Sequence, residues 1–180
     1  MKRLLVALLF VSTQALAQSP APRPPQPLPV FLQTQYNLLK ANLVGAAEKM
    51  PAEHFAFKPT ADVRSYAAIL GHVVESQYMF CSAAKGLPIP EFSAGLEKKA
   101  TDKVTVVQMV KDVFAYCDDV FGKATNESLV EMITLGAAPN ARQIARGNQL
   151  LMVLTHGNQH YGNLVTYLRL KGIVPPSSAQ

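Results

Sequence analysis

Four histidines, His54, His72, His156 and His160, are the side chains of this sequence best suited to chemistry. His156 and His160 stand four residues apart. On a helix that spacing sets them about 40° apart, so both imidazoles project from one face and can share a metal ion. Such a site needs a third ligand, and His72, in a separate helical stretch, is the candidate. Three neutral imidazoles leave a divalent cation with open positions, an arrangement that can polarise a carbonyl, bind a thiolate or lower the pKa of bound water. Zn²⁺ is the first choice, while all-nitrogen ligation also suits Ni²⁺, Fe²⁺ or Cu²⁺. A catalytic base is harder to find. Glu75 follows His72 by three residues, about 60° round the helix, where it would reach a metal's water or orient an imidazole. A solvated surface carboxylate is the plainer alternative. His54 falls in a loop and is assigned to solvent or local hydrogen bonding.

Other chemistries leave no trace. Position 157 is Gly where the zinc-protease motif carries its general-base Glu. Neither a Ser-His-Asp pattern, a nucleotide-binding Gly loop nor a haem-attaching Cys-x-x-Cys-His occurs.

Four helical stretches must position the histidines. The first runs from about Val30 to Met50, stopped by Pro51, and the second from about Ser65, a natural cap, to Lys85, stopped by Gly86. Gly86 to Asp102, with Pro88 and Pro90, is long for a helix-to-helix link and is expected to cross the end of a bundle. The third helix spans about Thr105 to Lys123. Its Val-rich pattern also allows a strand, but the three-four spacing and the length favour helix. Residues 124 to 140 read as a loop, and the fourth helix runs from about Arg142 to Lys171. No β-alternation of useful length is visible. The fold class predicted is all-α, a single four-helix bundle over residues 30–176 with a long crossover between helices 2 and 3 and a short tail at 177–180.

Along the fourth helix, Gln149, His156, His160, Asn163 and Tyr167 form a polar stripe flanking the apolar one of Leu150, Leu154, Tyr161 and Leu168. That suits a pocket open to solvent. Gly147, Gly157 and Gly162 each weaken the helix by about 1 kcal/mol relative to Ala. Gly157 and Gly162 bracket His160 and would let a neighbouring helix or a ligand approach.

The 180 residues are 49% hydrophobic and 16% charged, enough for one packed core and wrong for a disordered chain. Met1-Lys2-Arg3, the apolar run Leu4 to Val11 and Ala15-Leu16-Ala17 have the layout of a secretory signal peptide over residues 1–17, too short to span a membrane. Cleavage near Ala17 predicts a periplasmic or secreted protein, and losing Lys2 and Arg3 lowers the formal charge from +5 to +3. A nucleic-acid partner thereby loses its electrostatic support, and stable membrane insertion is not expected. A small-molecule substrate is the expected partner, and a homodimer is compatible with the composition. Residues 18–29, with five prolines between Pro20 and Pro27, form a semi-rigid arm. Cys81 and Cys117 either pair in an oxidising compartment or serve as two small buried apolar residues; both options stay open.

Two segments carry a resemblance. Met50-Pro51-Ala52-Glu53, then Phe57-Lys58-Pro59 and Ser65 to His72, resemble the opening motif of DinB-like proteins. His156 to Leu164, continuing through Tyr167-Leu168-Arg169-Leu170 and Gly172 to Pro175-Pro176, resembles that family's terminus. The resemblance implies a four-helix bundle of unusual helix order and a divalent metal held by His72, His156 and His160. It further implies kinship with thiol-dependent transferases and isomerases; with the three-histidine site, the leading expectation is an exported metal-dependent enzyme of hydrolase or thiol-transferase type, the alternative being a non-catalytic metal-binding or partner-binding bundle. Tyr161 and Asn163 depart from the residues common at their positions in the family.

Overall fold

The computed structural model describes residues 26–179. The signal peptide expected at 1–17, most of the proline-rich arm and Gln180 lie outside the described residues. The rest is mostly helical, with one small sheet: α1 (Leu28–Lys49), α2 (Tyr66–Lys85), α3 (Leu96–Lys99), α4 (Lys103–Gly122), α5 (Asn126–Val130), β1 (Met132–Leu135), β2 (Arg142–Ala145) and α6 (Arg146–Leu170).

The helix ends follow from single residues. Ser65 Oγ accepts the Ala68 amide at the start of α2, and Asp102 accepts that of Thr105 at the start of α4. Gly86, at φ 70°, closes α2 in the left-handed region that an L side chain resists. Helix α1 begins at Leu28, inside the expected arm, because Pro27 and Pro29 are compatible with a helix's first turn. The Val-rich third stretch is helical, with Val106, Val110, Val113, Phe114, Cys117 and Phe121 on one buried face.

The long helices share one core, α1 and α2 each packing against both α4 and α6. Tyr66 donates to the Ala46 carbonyl and Lys103 to that of Glu48, so α2 and α4 both start beside the C-terminal end of α1. At their far ends Ser82 meets Tyr116 and Lys85 pairs with Asp119. Thus α2 and α4 run parallel, and the long link must return the chain to its starting end. It does so along the flank of α2 rather than across the bundle end, and it includes the single turn α3, which corrects the expected course. The reason is Gly71: a Cβ there would lie 2.6 Å from Ala100 Cβ and 2.8 Å from the Leu96 carbonyl, so only glycine leaves room for the returning segment.

Two further expectations fail. Residues 132–135 and 142–145 form an antiparallel hairpin pairing Ile133 with Ile144, so the expectation of no strand is wrong and α6 begins at Arg146, not Arg142. Strands of only four residues carry too little alternation to be seen against a loop. The two cysteines are disulfide-bonded, Cα atoms 5.6 Å apart, joining α2 to α4.

Candidate functional site

His72 lies in the second turn of α2, and His156 and His160 lie in the middle of α6. Two features bring these antiparallel helices together. Gly157 is buried where a Cβ would stand 2.6 Å from Leu39 Cδ2 and 2.9 Å from Gln77 Nε2. Gln77 Nε2 donates to the Val153 carbonyl at 3.1 Å, joining α2 to α6 through a buried hydrogen bond. The expectation that Gly157 admits a neighbouring helix is met; Gly162 instead faces open space.

The three imidazoles converge. Ring centroids are 5.1 Å apart for His72 and His156, 4.8 Å for His72 and His160, and 4.5 Å for His156 and His160. One nitrogen from each ring lies within 4.8 Å of those of the other two, close enough to hold a single metal ion. All three rings are partly buried, and Phe80 packs edge-on against His156.

Their electrostatics favour neutral rings. Burial pushes His156 down to about 4, with His160 and then His72 acting in the same direction. Burial, then the charge of His72, also lowers His160, although the Asn163 side chain pulls the other way. A neutral imidazole keeps a lone pair for a cation. Moreover, Nδ1 of His156 and Nδ1 of His160 are both buried without a hydrogen-bond partner. A buried polar atom left unpaired costs about 1–3 kcal/mol, so two adjacent ones fit a site whose missing partner is a ligand.

His72 differs. Its Nδ1 lies 3.0 Å from Glu97 Oε2, and Glu97 is also held by Arg64, whose Nε donates to Oε1 at 2.9 Å. The Arg64 hydrogen bond, against a smaller effect of burial, holds the Glu97 carboxyl below its ordinary range, so an anion faces His72. Tyr167 in turn donates to the Arg64 carbonyl at 2.7 Å.

A cleft opens on either side. One of about 470 Å³ on the His72 side is lined by Glu75, Ser76, Met79, Ile89 and Glu97 among others. Another of about 360 Å³ on the His160 side is lined by Arg64, Asn163 and Tyr167. The pocket expected beside the polar stripe is present on the His160 side, whereas the cleft on the His72 side is lined by α2 and the crossover.

Of the residues singled out in the sequence, His72, His156 and His160 are brought together and His54, in a 3₁₀ turn after α1, is not. Glu75 lines the cleft, but its carboxylate accepts the backbone amides of Gly95 at 3.2 Å and Glu97 at 3.3 Å. The carboxylate hydrogen-bonded to His72 is Glu97. Tyr161 is buried, with its hydroxyl 2.9 Å from Ser177 Oγ, and so ties down the C-terminal segment. Sequence reasoning missed Glu97 and Arg64. Their one local signal is opposite charge, too common to single them out.

A model of the DinB superfamily matches residues 35–164. Among solved structures, a DinB-like protein from Bacillus subtilis is 21% identical, the match covering 79% of this chain and 92% of that one at a TM-score of 0.62. A DinB-like protein from Bacillus cereus is 13% identical, covering 81% and 93% at 0.62. A conserved protein from Enterococcus faecalis is 12% identical, covering 81% and 98% at 0.62. No curated protein matches the sequence. At such identities the solved structures share the fold, whereas the superfamily match spans most of the chain, including all three clustered histidines: the chain belongs to the DinB superfamily.

Proposed function

We propose that this protein is an exported metal-dependent enzyme built on a DinB-type four-helix bundle, with His72, His156 and His160 holding one divalent cation, Zn²⁺ first among candidates. The observation that carries this reading is the convergence of three half-buried imidazoles, two with buried nitrogens lacking any other partner. When bound, the cation supplies Lewis acidity, which polarises a carbonyl, stabilises a thiolate or acidifies water. The protein's own residues do the rest. His156 and His160 stay neutral through burial and so remain ligands near neutral pH. The flanking clefts admit a small-molecule substrate on either side of the histidines. Hydrolysis and thiol transfer both suit this arrangement.

Export is supported by the N-terminal segment and by the Cys81–Cys117 bond, since disulfides persist chiefly in oxidising compartments. Hydrolysis is the better fit of the two there, because low-molecular-weight thiols of the cytosolic kind are scarce outside the membrane. No helix among the described residues is long and apolar enough to cross a membrane.

A second reading, a non-catalytic metal-binding bundle, draws on one observation. Both carboxylates nearest the histidines are engaged, Glu75 by backbone amides and Glu97 by Arg64 and His72. Metal analysis of gently purified protein, followed by turnover on ester, amide and thiol-adduct substrates, tests the pair. The enzyme reading expects one equivalent of metal and turnover abolished in His156→Ala. Stoichiometric metal without turnover selects the binder, and no metal uptake by the wild type sinks both.

A further inference from the structure

We propose that Glu97 is a positioning residue for the histidine site: it holds His72 with Nδ1 as hydrogen donor, leaving Nε2 as the nitrogen shared with His156 and His160, and the crossover is docked on α2 to deliver it. The inference rests on the metal reading above and refines it by assigning a task to a segment outside the ligand set. A histidine ligand whose second nitrogen donates to a carboxylate has its tautomer and ring orientation fixed and its basicity raised. His72 is the only one of the three with such a partner among the described residues, at 3.0 Å from Glu97 Oε2.

Three independent contacts put the carboxylate there. Gly71, immediately before His72, would carry a Cβ 2.9 Å from Glu97 Cα and 2.6 Å from Ala100 Cβ, so the segment lies directly on the helix backbone. Glu75, one turn further along α2, accepts the amides of Gly95 and of Glu97 itself, fixing the backbone from which the side chain projects. Arg64 completes the clamp, with Nε on Oε1 at 2.9 Å and a second nitrogen 3.4 Å from Oε2. Leu96 and Ala100, buried on either side, anchor the turn in the core. A surface ion pair formed for its own sake would need neither the glycine nor the two amide bonds.

The test uses the purified full chain, first stripped of metal. Long-range ¹H–¹⁵N spectra should show His72 protonated on Nδ1 in the wild type and as a tautomer mixture in Glu97→Ala. Zn²⁺ affinity, measured by competition with a chelator, should fall about 10- to 100-fold in Glu97→Ala and by less in Glu97→Gln, which keeps an acceptor but not the charge. In a His72→Ala background, Glu97→Ala should change the residual affinity no further. Gly71→Ala, which touches no ligand, should reproduce the tautomer mixture; if it does not fold, the Glu97 variants decide alone. An unchanged His72 tautomer with affinity within about threefold of wild type in Glu97→Ala overturns the proposal, as does an undiminished loss in the His72→Ala background. If the wild type takes up no Zn²⁺, the metal reading fails, while the tautomer spectra of the metal-free protein still decide what Glu97 does to His72.

Discussion

The two sides of the helical core treat their clustered polar groups differently. Between α1 and α4, Tyr36 is fully buried, its ring stacked on Phe121 at 4.1 Å, and its hydroxyl lies 2.7 Å from the Phe114 carbonyl and 2.8 Å from Asp118. Lys40 closes that group by binding Asp118 at 2.8 Å, so a phenol, a carboxylate and an ammonium satisfy one another. Between α2 and α6 the histidines lie equally close together, yet two of their nitrogens are paired with nothing. Among the described residues the other buried unpaired side-chain atoms are two amide oxygens, Gln77 Oε1 on α2 and Gln33 Oε1 on α1, the latter facing Gly122 of α4. The α1–α4 side thus leaves one isolated amide oxygen unpaired, whereas the α2–α6 side leaves two imidazole nitrogens unpaired within one cluster. That clustering of unpaired nitrogens is what the proposed ligand site rests on, and the α1–α4 side shows no such cluster among the described residues.

The largest effect expected on stability alone comes from the Cys81–Cys117 bond. It closes a sequence separation of 36 residues, so Cys117→Ser should lower unfolding stability by roughly 4 kcal/mol, read from urea transitions. Cys81 is nine residues from His72, about half a turn round α2, so the bond and the histidine occupy opposite faces of that helix. Zn²⁺ affinity of the folded variant should stay within about threefold of wild type, because the bond acts mainly by restricting the unfolded chain. A tenfold loss instead would show that the two sides are coupled and that the contrast between them is too sharp.

Gly157→Ala comes next and is expected to act on both sides at once. The new methyl would fall 2.6 Å from Leu39 Cδ2 on α1 and 2.9 Å from Gln77 Nε2 on α2. Overpacking of this kind costs about 1–3 kcal/mol, and relief requires α6 to move outward. That motion separates His156 and His160 from His72. Stability and Zn²⁺ affinity should fall together; a stability loss with unchanged affinity would mean that Leu39 absorbs the strain alone.

What the sequence revealed about this site divides along similar lines. Pro51, Ser65 and Gly86 each act through their own covalent geometry or side chain, so the ends of α1 and α2 could be read from residue type. The His156–His160 pair was legible because it needs only the helical repeat. The hairpin was not, because strands of four residues, paired Met132 with Ala145 through Leu135 with Arg142, are too short to leave a periodic signal. Glu97 was hidden for a different reason: it meets His72 across 25 residues, on a segment whose prolines and glycines read as a loop. Glu75, with the right spacing on the right helix, drew attention first, but helical spacing does not say which way a carboxylate turns when backbone amides compete for it. Long-range placement of the crossover is set by Gly71, whose missing side chain matters only once the partner segment is known.

The smallest expected effect separates two glycines of α6 that look alike in sequence. Gly162, two residues beyond His160, is exposed and a Cβ there meets nothing within 4 Å, in contrast to the tight enclosure of Gly157. Nothing in the folded chain therefore opposes an alanine, and helix propensity alone should govern the outcome. Gly162→Ala is expected to raise stability by about 0.5–1 kcal/mol, the gain from restricting the unfolded backbone and improving the helix interior. Zn²⁺ affinity should not change, since neither the His160 ring nor its neighbours need to move. Because the next residue, Asn163, lines the smaller cleft, substrate turnover is the measurement that gives this modest variant its use. Unchanged turnover would make Gly162 an incidental weakness of the helix. A loss of turnover with stability raised and metal retained would mean that a ligand, not a neighbouring helix, needs the space, and the ligand-facing surface would then reach round α6 about half a turn beyond His160.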